Sequence, residues 1–481
     1  MFELSKETIE KNLKTFLCDD SQIASYSKII SSPNFNPESF TIGDRILKPH
    51  YLNESEANFD KWCDELIFDQ LNRISSEGQI KFCDIKETKN IIRKNLQLLL
   101  NYEEKGVKVQ DKIWNQEFVD VLRHVIGYSL DGDPSKIYHT HKTFNDLAKE
   151  IIPLVISEIE KEKFDLSTIL KLSIISGMSG LDLKGTSAAS SLYSNNGIQM
   201  EPYFHLTVQE SAQIYIRELK SRLNCPTPVF YWEKFLSEVE GNNKLKIVWF
   251  TDDYIESFFD LFFISKFLDK YPNVELTVIP KKGNYGNDVS WSDVVDLLNL
   301  DIFDNLNMHK KSGRFSICKL GPRMGTINLR KLSNEVIYLI EDSDLVVVKG
   351  CRSHEMIQGG LNKPCFSMFI VSREFSERTT GFDAKESPLL LIYLSPGEYA
   401  FYGFKSIDLS EKGSSNNRNT HYCKSTLKDH ERRKKITDSG QLVMELQNLL
   451  DNLLKEKYSP ELQEINLMLH QLSRSKLDCD N

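Results

Sequence analysis

From Cys225 to Ser395 the chain switches repeatedly between two periodicities, and this limits its fold more than any other feature. The short apolar runs KIVWFT, VELTVIP, FSICKLG, DLVVVKG, FSMFIVS and LLLIYLS read as strands. Between them, YIESFFDLFFISKFLDKY, SWSDVVDLLNL and SNEVIYLIED carry apolar residues at helical spacing. Strands alternating with helices predict a three-layer α/β/α domain built on a mostly parallel, doubly wound sheet. DLVVVKG and LLLIYLS are apolar almost throughout, as strands covered on both faces must be.

The rest of the chain reads differently. Ile23–Ile30, Trp62–Leu71, Ile91–Leu100 and Phe118–Ile126 have apolar residues three and four apart, the mark of amphipathic helices. DPSKIYHTHKTFNDLAKEIIPLVISEIEK reads as one long helix or two, with Pro134 near the start. FDLSTILKLSIISGMSG is a further helix, which Gly177 and Gly180 either end or allow to pack closely, and HLTVQESAQIYIRELKSRL is another. The expected domains are a helical N-terminal domain over 1–215, the α/β domain over 216–405, a polar loop over 406–440 and a C-terminal helical segment over 441–481.

Composition narrows the function classes. A formal net charge of -9 is the wrong sign for a nucleic-acid binder. No apolar run is long enough to span a bilayer, and MFELSKETIEKN lacks the basic and apolar regions of a secretory signal. Nine cysteines without a C-x-x-C pair read as reduced thiols and predict a cytoplasmic protein without a structural zinc site. Neither nucleic acid nor membrane is therefore an expected partner; oligomeric state is left open.

The chemistry-bearing residues collect at the ends of the predicted strands. Asp252 and Asp253 follow KIVWFT, where open α/β sheets bind ligands. Two readings stand: a helix N-cap, or a carboxylate pair for a hard divalent cation. Glu256 and Asp260, four apart, share one face of the following helix. GNYGND after VELTVIP brings Asn287 and Asp288, either as a further oxygen ligand and a substrate contact or as a turn that starts a helix. GPRMGT brings Arg323, as crevice lining or as a turn. Lys349 closes DLVVVKG and is followed by Gly350, Cys351, Arg352, Ser353, His354 and Glu355. A lysine there can neutralise a phosphate or snorkel from the strand end. His354 reads as a packed or solvated residue, and Cys351 lacks an oriented base. Carboxylates with a lysine, without a P-loop or a Ser/His/Asp order, point to metal-assisted hydrolysis of a phosphate ester.

Together these segments resemble the metal-dependent damage-control phosphatases, hydrolases of carbohydrate and metabolite phosphates long filed as a domain of unknown function. The family pattern D-N-x-G-E-x-x-x-D is met by Asp252, Asp253, Glu256 and Asp260. N-D-[AV]-[ST]-x-x-D is met by Asn287, Asp288, Val289, Ser290 and Asp293, and D-x-x-x-x-K-G-x-x-N-x-E by Asp344, Lys349, Gly350 and Glu355. Asp133, Pro134, Lys142 and Asn145 resemble the family's D-P helix, and Asp182 its G-N-x-x-D turn. The likeness runs from Asp133 to Ser372 and implies Asp252, Asp253 and Asp288 as ligands of Mn²⁺, Co²⁺, Ni²⁺ or Mg²⁺. It implies Lys349 as a catalytic, phosphate-contacting residue, with Glu256, Asn287, Arg323, Arg352 and Glu355 around a small phosphorylated metabolite. Four departures stand out: Asp253 for the usual Asn, Ile255 for Gly, Ser353 for Asn, and Met178 and Ser179 for the Gly and Asn of the turn. They frame the alternative, a non-catalytic descendant that binds a metabolite or a partner. Methyl transfer, a third class, would call for a glycine-rich nucleotide fingerprint, which the sequence lacks.

Overall fold

The computed structural model describes residues 2–10, 28–29, 67, 71, 85–104, 106–109, 118–131, 142–177, 206–283, 288–321, 327–357, 361–371, 380, 382 and 386–396. The expected loop over 406–440 and helical segment over 441–481 lie outside these residues, as does most of Ile23–Ile30 and Trp62–Leu71.

Helices α1 (Ile85–Leu100) and α2 (Phe118–Asp131) flank a two-stranded antiparallel hairpin, β1 (Glu103–Glu104) and β2 (Val107–Lys108). They share a core of their own in which Ile92, Leu96, Leu99, Val121, Leu122 and Val125 are buried. Three further helices follow: α3 (Lys142–Lys161), α4 (Leu166–Ser176) and α5 (Val208–Arg222). Asp165 caps α4 by accepting from the Thr168 amide, and Thr207 with Glu210 forms a capping box on α5.

The remaining elements form the sheet and its covering helices: β3 (Val229–Phe230), α6 (Trp232–Glu240), β4 (Leu245–Phe250), α7 (Tyr254–Lys270), β5 (Val274–Ile279), α8 (Trp291–Leu297), α9 (Asp304–Lys311), β6 (Phe315–Ile317), α10 (Asn334–Asp342), β7 (Leu345–Lys349), α11 (Cys351–Ile357), β8 (Cys365–Ile370) and β9 (Leu389–Leu394). The seven strands run β3-β9-β8-β7-β4-β5-β6. Strands β8, β7, β4, β5 and β6 are parallel. β9 pairs antiparallel with β8, and β3 runs parallel to β9. The mostly parallel α/β architecture is the expected one. The reversal at β9 and the two-residue edge strand β3 are additions to it, since the apolar run LLLIYL does not encode strand direction.

The period of two sorts each strand between two cores. Ile247, Trp249, Leu345 and Val347 face one layer with α3, α4, α5 and the aromatic face of α7. Val248, Phe250, Val346 and Val348 face the other, with Val336, Ile337 and Ile340 of α10. Helix α7 is buried along nearly its whole length, which explains its dense run of phenylalanines. Helices from before residue 215 thus cover one face of the sheet. The chain leaves β4 toward β5 on one side and later returns to place β7 on the other. This is a topological switch point, and open α/β sheets bind ligands there, outside the carboxyl ends of the strands, here β4 and β7.

Candidate metal centre and the ion cluster beside it

Three carboxylates meet at the switch point. Asp252 and Asp253 follow β4, and Asp288 is brought to them by backbone pairing: Asp253 and Asp288 form an antiparallel bridge, and the Val289 amide donates to the Asp252 carbonyl at 2.8 Å. One carboxylate oxygen from each of the three lies within 4.8 Å of the others. Asp253 occupies the N-cap position of α7, but its side chain makes no capping hydrogen bond. Capping in the second motif falls to Ser290, which forms a box with Asp293, so it is Ser290 and not Asp288 that starts α8.

Carboxylate oxygens packed this closely repel by about 4 kcal/mol per pair at an effective protein dielectric. An all-oxygen, half-buried donor set of this kind suits a hard divalent cation, so the residues present fit such an ion.

Gly350 is shaped around the first of these carboxylates. Its φ is +88°, in the left-handed region, and a Cβ there would lie 2.6 Å from Asp252 Cγ and closer still to Oδ2. The close approach that this glycine allows is made by Asp252.

Behind the carboxylates lies a second cluster. Lys349, fully buried at the end of β7, is on the same sheet face as Val347 and points into the helical layer. Its Nζ lies 3.1 Å from Glu256 Oε2 and 3.3 Å from Asp260 Oδ1. It also donates to the carbonyl and the hydroxyl of Ser173 on α4, at 3.1 and 2.9 Å. Ser173 in turn donates to Asp260. Gly177, just past α4, leaves room for Glu256, since a Cβ there would lie 2.8 Å from Glu256 Cδ and closer to Oε1. Burial pushes the Glu256 carboxyl up to about 8, opposed by Lys349 and reinforced by Asp252 and Asp260. Burial likewise raises Asp260. For Lys349, burial works against the ammonium, but the two carboxylates outweigh it and raise its pKa. One ammonium between two buried carboxyls is neutral when the pair keeps one proton.

A further lysine reaches the metal centre, one that sequence reasoning passed over. Lys281, two residues past the end of β5, is 1% exposed, and its Nζ lies 4.0 Å from Asp252 Oδ1 and 3.9 Å from Asp288 Oδ2. The signal that drew attention to Lys349, a lysine closing a buried strand, was equally present in VELTVIPK.

Arg352 follows on α11, half-buried. Glu355 is in the same helix, but its side chain is outside the described set, as are Asn287 and Arg323. The same holds for Asp133, Pro134, Met178, Ser179, Asp182 and the side chain of Lys142. Asn145 is buried within α3. Asp344 sits at the opposite end of the sheet, where its carboxylate accepts from the Lys246 amide at 2.8 Å. His354 is packed against Phe369, with ring centroids 5.1 Å apart. Cys225, Cys318, Cys351 and Cys365 are not in disulfides. Among the described residues no helix is long and apolar enough to cross a membrane.

The model of the damage-control phosphatase ARMT1-like domain matches residues 69–381. The chain belongs to this family. The match extends well upstream of Asp133, where the motifs begin, and takes in α1 and α2. A crystal structure of a DUF89 family protein from Pyrococcus horikoshii is similar at a TM-score of 0.46 and 17% identity, covering 69% of this chain and 97% of that one. No curated protein matches the chain at a significant level.

Proposed function

We propose that this family member is a metal-dependent phosphomonoester hydrolase acting on small phosphorylated metabolites such as a sugar phosphate or a phosphopantetheine-like compound. The observation that carries the reading is the convergence of Asp252, Asp253 and Asp288 from two separate segments onto one point of the switch-point crevice. These three would hold Mn²⁺, Co²⁺, Ni²⁺ or Mg²⁺, and a divalent cation supplies Lewis-acid polarisation of a phosphoryl oxygen when bound. The chain's own part is preorganisation. Gly350 lets the Asp252 carboxylate nest against the end of β7, and the Asp253–Asp288 bridge ties the second motif to the first. Lys349, Glu256 and Asp260 brace the end of β4 and the first turns of α7 from behind. Arg352, and Asn287, Arg323 and Glu355 by their place in the sequence, belong to the substrate-facing rim in this reading. A cytoplasmic location, with neither nucleic acid nor membrane as partner, goes with it; the net charge of -9 supports that choice.

The test is release of inorganic phosphate from a broad panel of phosphorylated metabolites by the purified, folded protein with Mn²⁺, Co²⁺ or Ni²⁺. Release that is lost in Asp252→Ala and Asp288→Ala supports the assignment; no release from any compound removes hydrolysis. Ile255, buried in the first turn of α7 where the family carries glycine, favours a second reading, a descendant that binds without turnover. Absence of any metal binding by calorimetry would select it.

A further inference from the structure

We propose that Lys281, rather than Lys349, is the ammonium that receives the phosphoryl group at this site, an inference that rests on the phosphatase reading above. The two lysines end neighbouring parts of the same sheet edge but differ in what surrounds them. Lys349 donates twice to Ser173 and is ion-paired with Glu256 and Asp260 at 3.1 and 3.3 Å, so its ammonium is engaged inside the protein. Lys281 Nζ is buried and makes no hydrogen bond. Its nearest carboxylate oxygens, at 3.9 and 4.0 Å, are beyond hydrogen-bond reach. A buried ammonium without hydrogen bonds leaves its desolvation uncompensated, so its three donors call for an acceptor between it and the carboxylates.

The placement suits an oxyanion. Lys281 is 1% exposed, whereas the Asp252 and Asp288 side chains are 24% and 12% exposed, so the ammonium forms the floor of a crevice whose walls are the metal-binding carboxylates. Its backbone is held on both sides: the Lys281 amide donates to the Val289 carbonyl at 3.1 Å, and the Trp291 amide donates to the Lys281 carbonyl at 2.8 Å. The parallel bridge between Lys281 and Ser290 lies two residues from the antiparallel Asp253–Asp288 bridge, so backbone pairing ties the lysine to the same segment as Asp288. Charge agrees as well. Three carboxylates, one ammonium and a divalent cation sum to zero, whereas without Lys281 the site would carry a net negative charge toward an incoming phosphate monoester.

Calorimetry on the full chain separates this inference from the reading beneath it. Mn²⁺ alone, titrated into the wild type, reports the cation site; inorganic phosphate, titrated with and without Mn²⁺, reports Lys281. Wild-type protein is expected to bind phosphate, and Lys281→Met to bind it roughly 10- to 100-fold more weakly, the range for losing hydrogen bonds to a charged group. Mn²⁺ affinity of the variant is expected to be equal or higher, because an ammonium facing the same carboxylates repels a cation. Lys281→Gln should show the same phosphate loss, and Lys281→Arg should retain most of the binding. Unchanged phosphate affinity in folded Lys281→Met or Lys281→Gln overturns the proposal. So does a wild type that binds no phosphate under either condition. Failure of both neutral variants to fold also counts against it, since Lys281 would then be a structural counter-ion. If Mn²⁺ does not bind but phosphate binding still depends on Lys281, the metal reading falls and this inference stands.

Discussion

The carboxylate of Asp252 occupies the space that a side chain at Gly350 would fill, with Asp252 Cγ only 2.6 Å from where a Cβ would stand. The two residues end adjacent parallel strands, β4 and β7, paired through Phe250 and Val348. Gly350→Ala therefore meets two obstacles: the positive φ, at about 1–3 kcal/mol, and the carboxylate itself. The variant is expected to melt lower than the wild type and to bind Mn²⁺ at least tenfold more weakly as Asp252 is pushed aside. Thermal unfolding with and without Mn²⁺ reads both effects.

Asp252, Asp253 and Asp288 repel one another when no cation is bound. Asp288→Asn should leave metal-free stability unchanged or raise it, by up to about 1 kcal/mol once solvent screening of these half-buried groups is allowed for. The same change should abolish the stabilisation that added Mn²⁺ confers on the wild type. A melt of both proteins across a metal titration shows the opposite signs directly; a metal-free loss of stability would mean that Asp288 is chiefly a structural residue.

Lys349→Met strips the counter-ion from Glu256 and Asp260. Breaking a buried ion cluster from one side costs about 3–5 kcal/mol. Glu256→Gln leaves Lys349 with Asp260 and removes a carboxyl that burial already pushes up to about 8, so it is expected to be the milder change. Gly177→Ala intrudes on the same carboxyl and should fall between the two. Urea unfolding of the three variants gives the order.

His354 supplies a pH signature. Burial lowers its pKa from 6.5 to about 4, and neither ring nitrogen has a hydrogen-bond partner. As pH falls through this window, the unfolded chain takes up the proton before the folded one does. Its contribution is therefore fully present above pH 6.5 and declines toward pH 4, by up to about 3 kcal/mol. Comparing urea midpoints of wild type and His354→Leu at pH 7 and pH 4.5 isolates this residue; the wild type should lose stability relative to the variant at the lower pH.

The amino-acid sequence was sufficient for the layer architecture and for the family. Buried parallel strands are largely apolar, so β4, β7 and β8 announce themselves, β5 does so by its β-branched alternation, and residues that follow such runs lie at the sheet's carboxyl edge. Asp252, Asp288 and Lys349 could be located in this way, and their spacing carried the likeness to the damage-control phosphatases. Tertiary structure decided what each of them touches. Lys349 shares a sheet face with Val347, so it turns into the helical layer and meets Ser173, 176 residues earlier in the chain. Asp344, in the same motif, holds the far end of the sheet. Gly350 makes room for Asp252, and Lys281 comes to lie beneath two carboxylates from different segments. Local periodicity places a residue along its own strand or helix. Which donor meets which acceptor depends on neighbours brought together only by packing, and no short-range pattern encodes them.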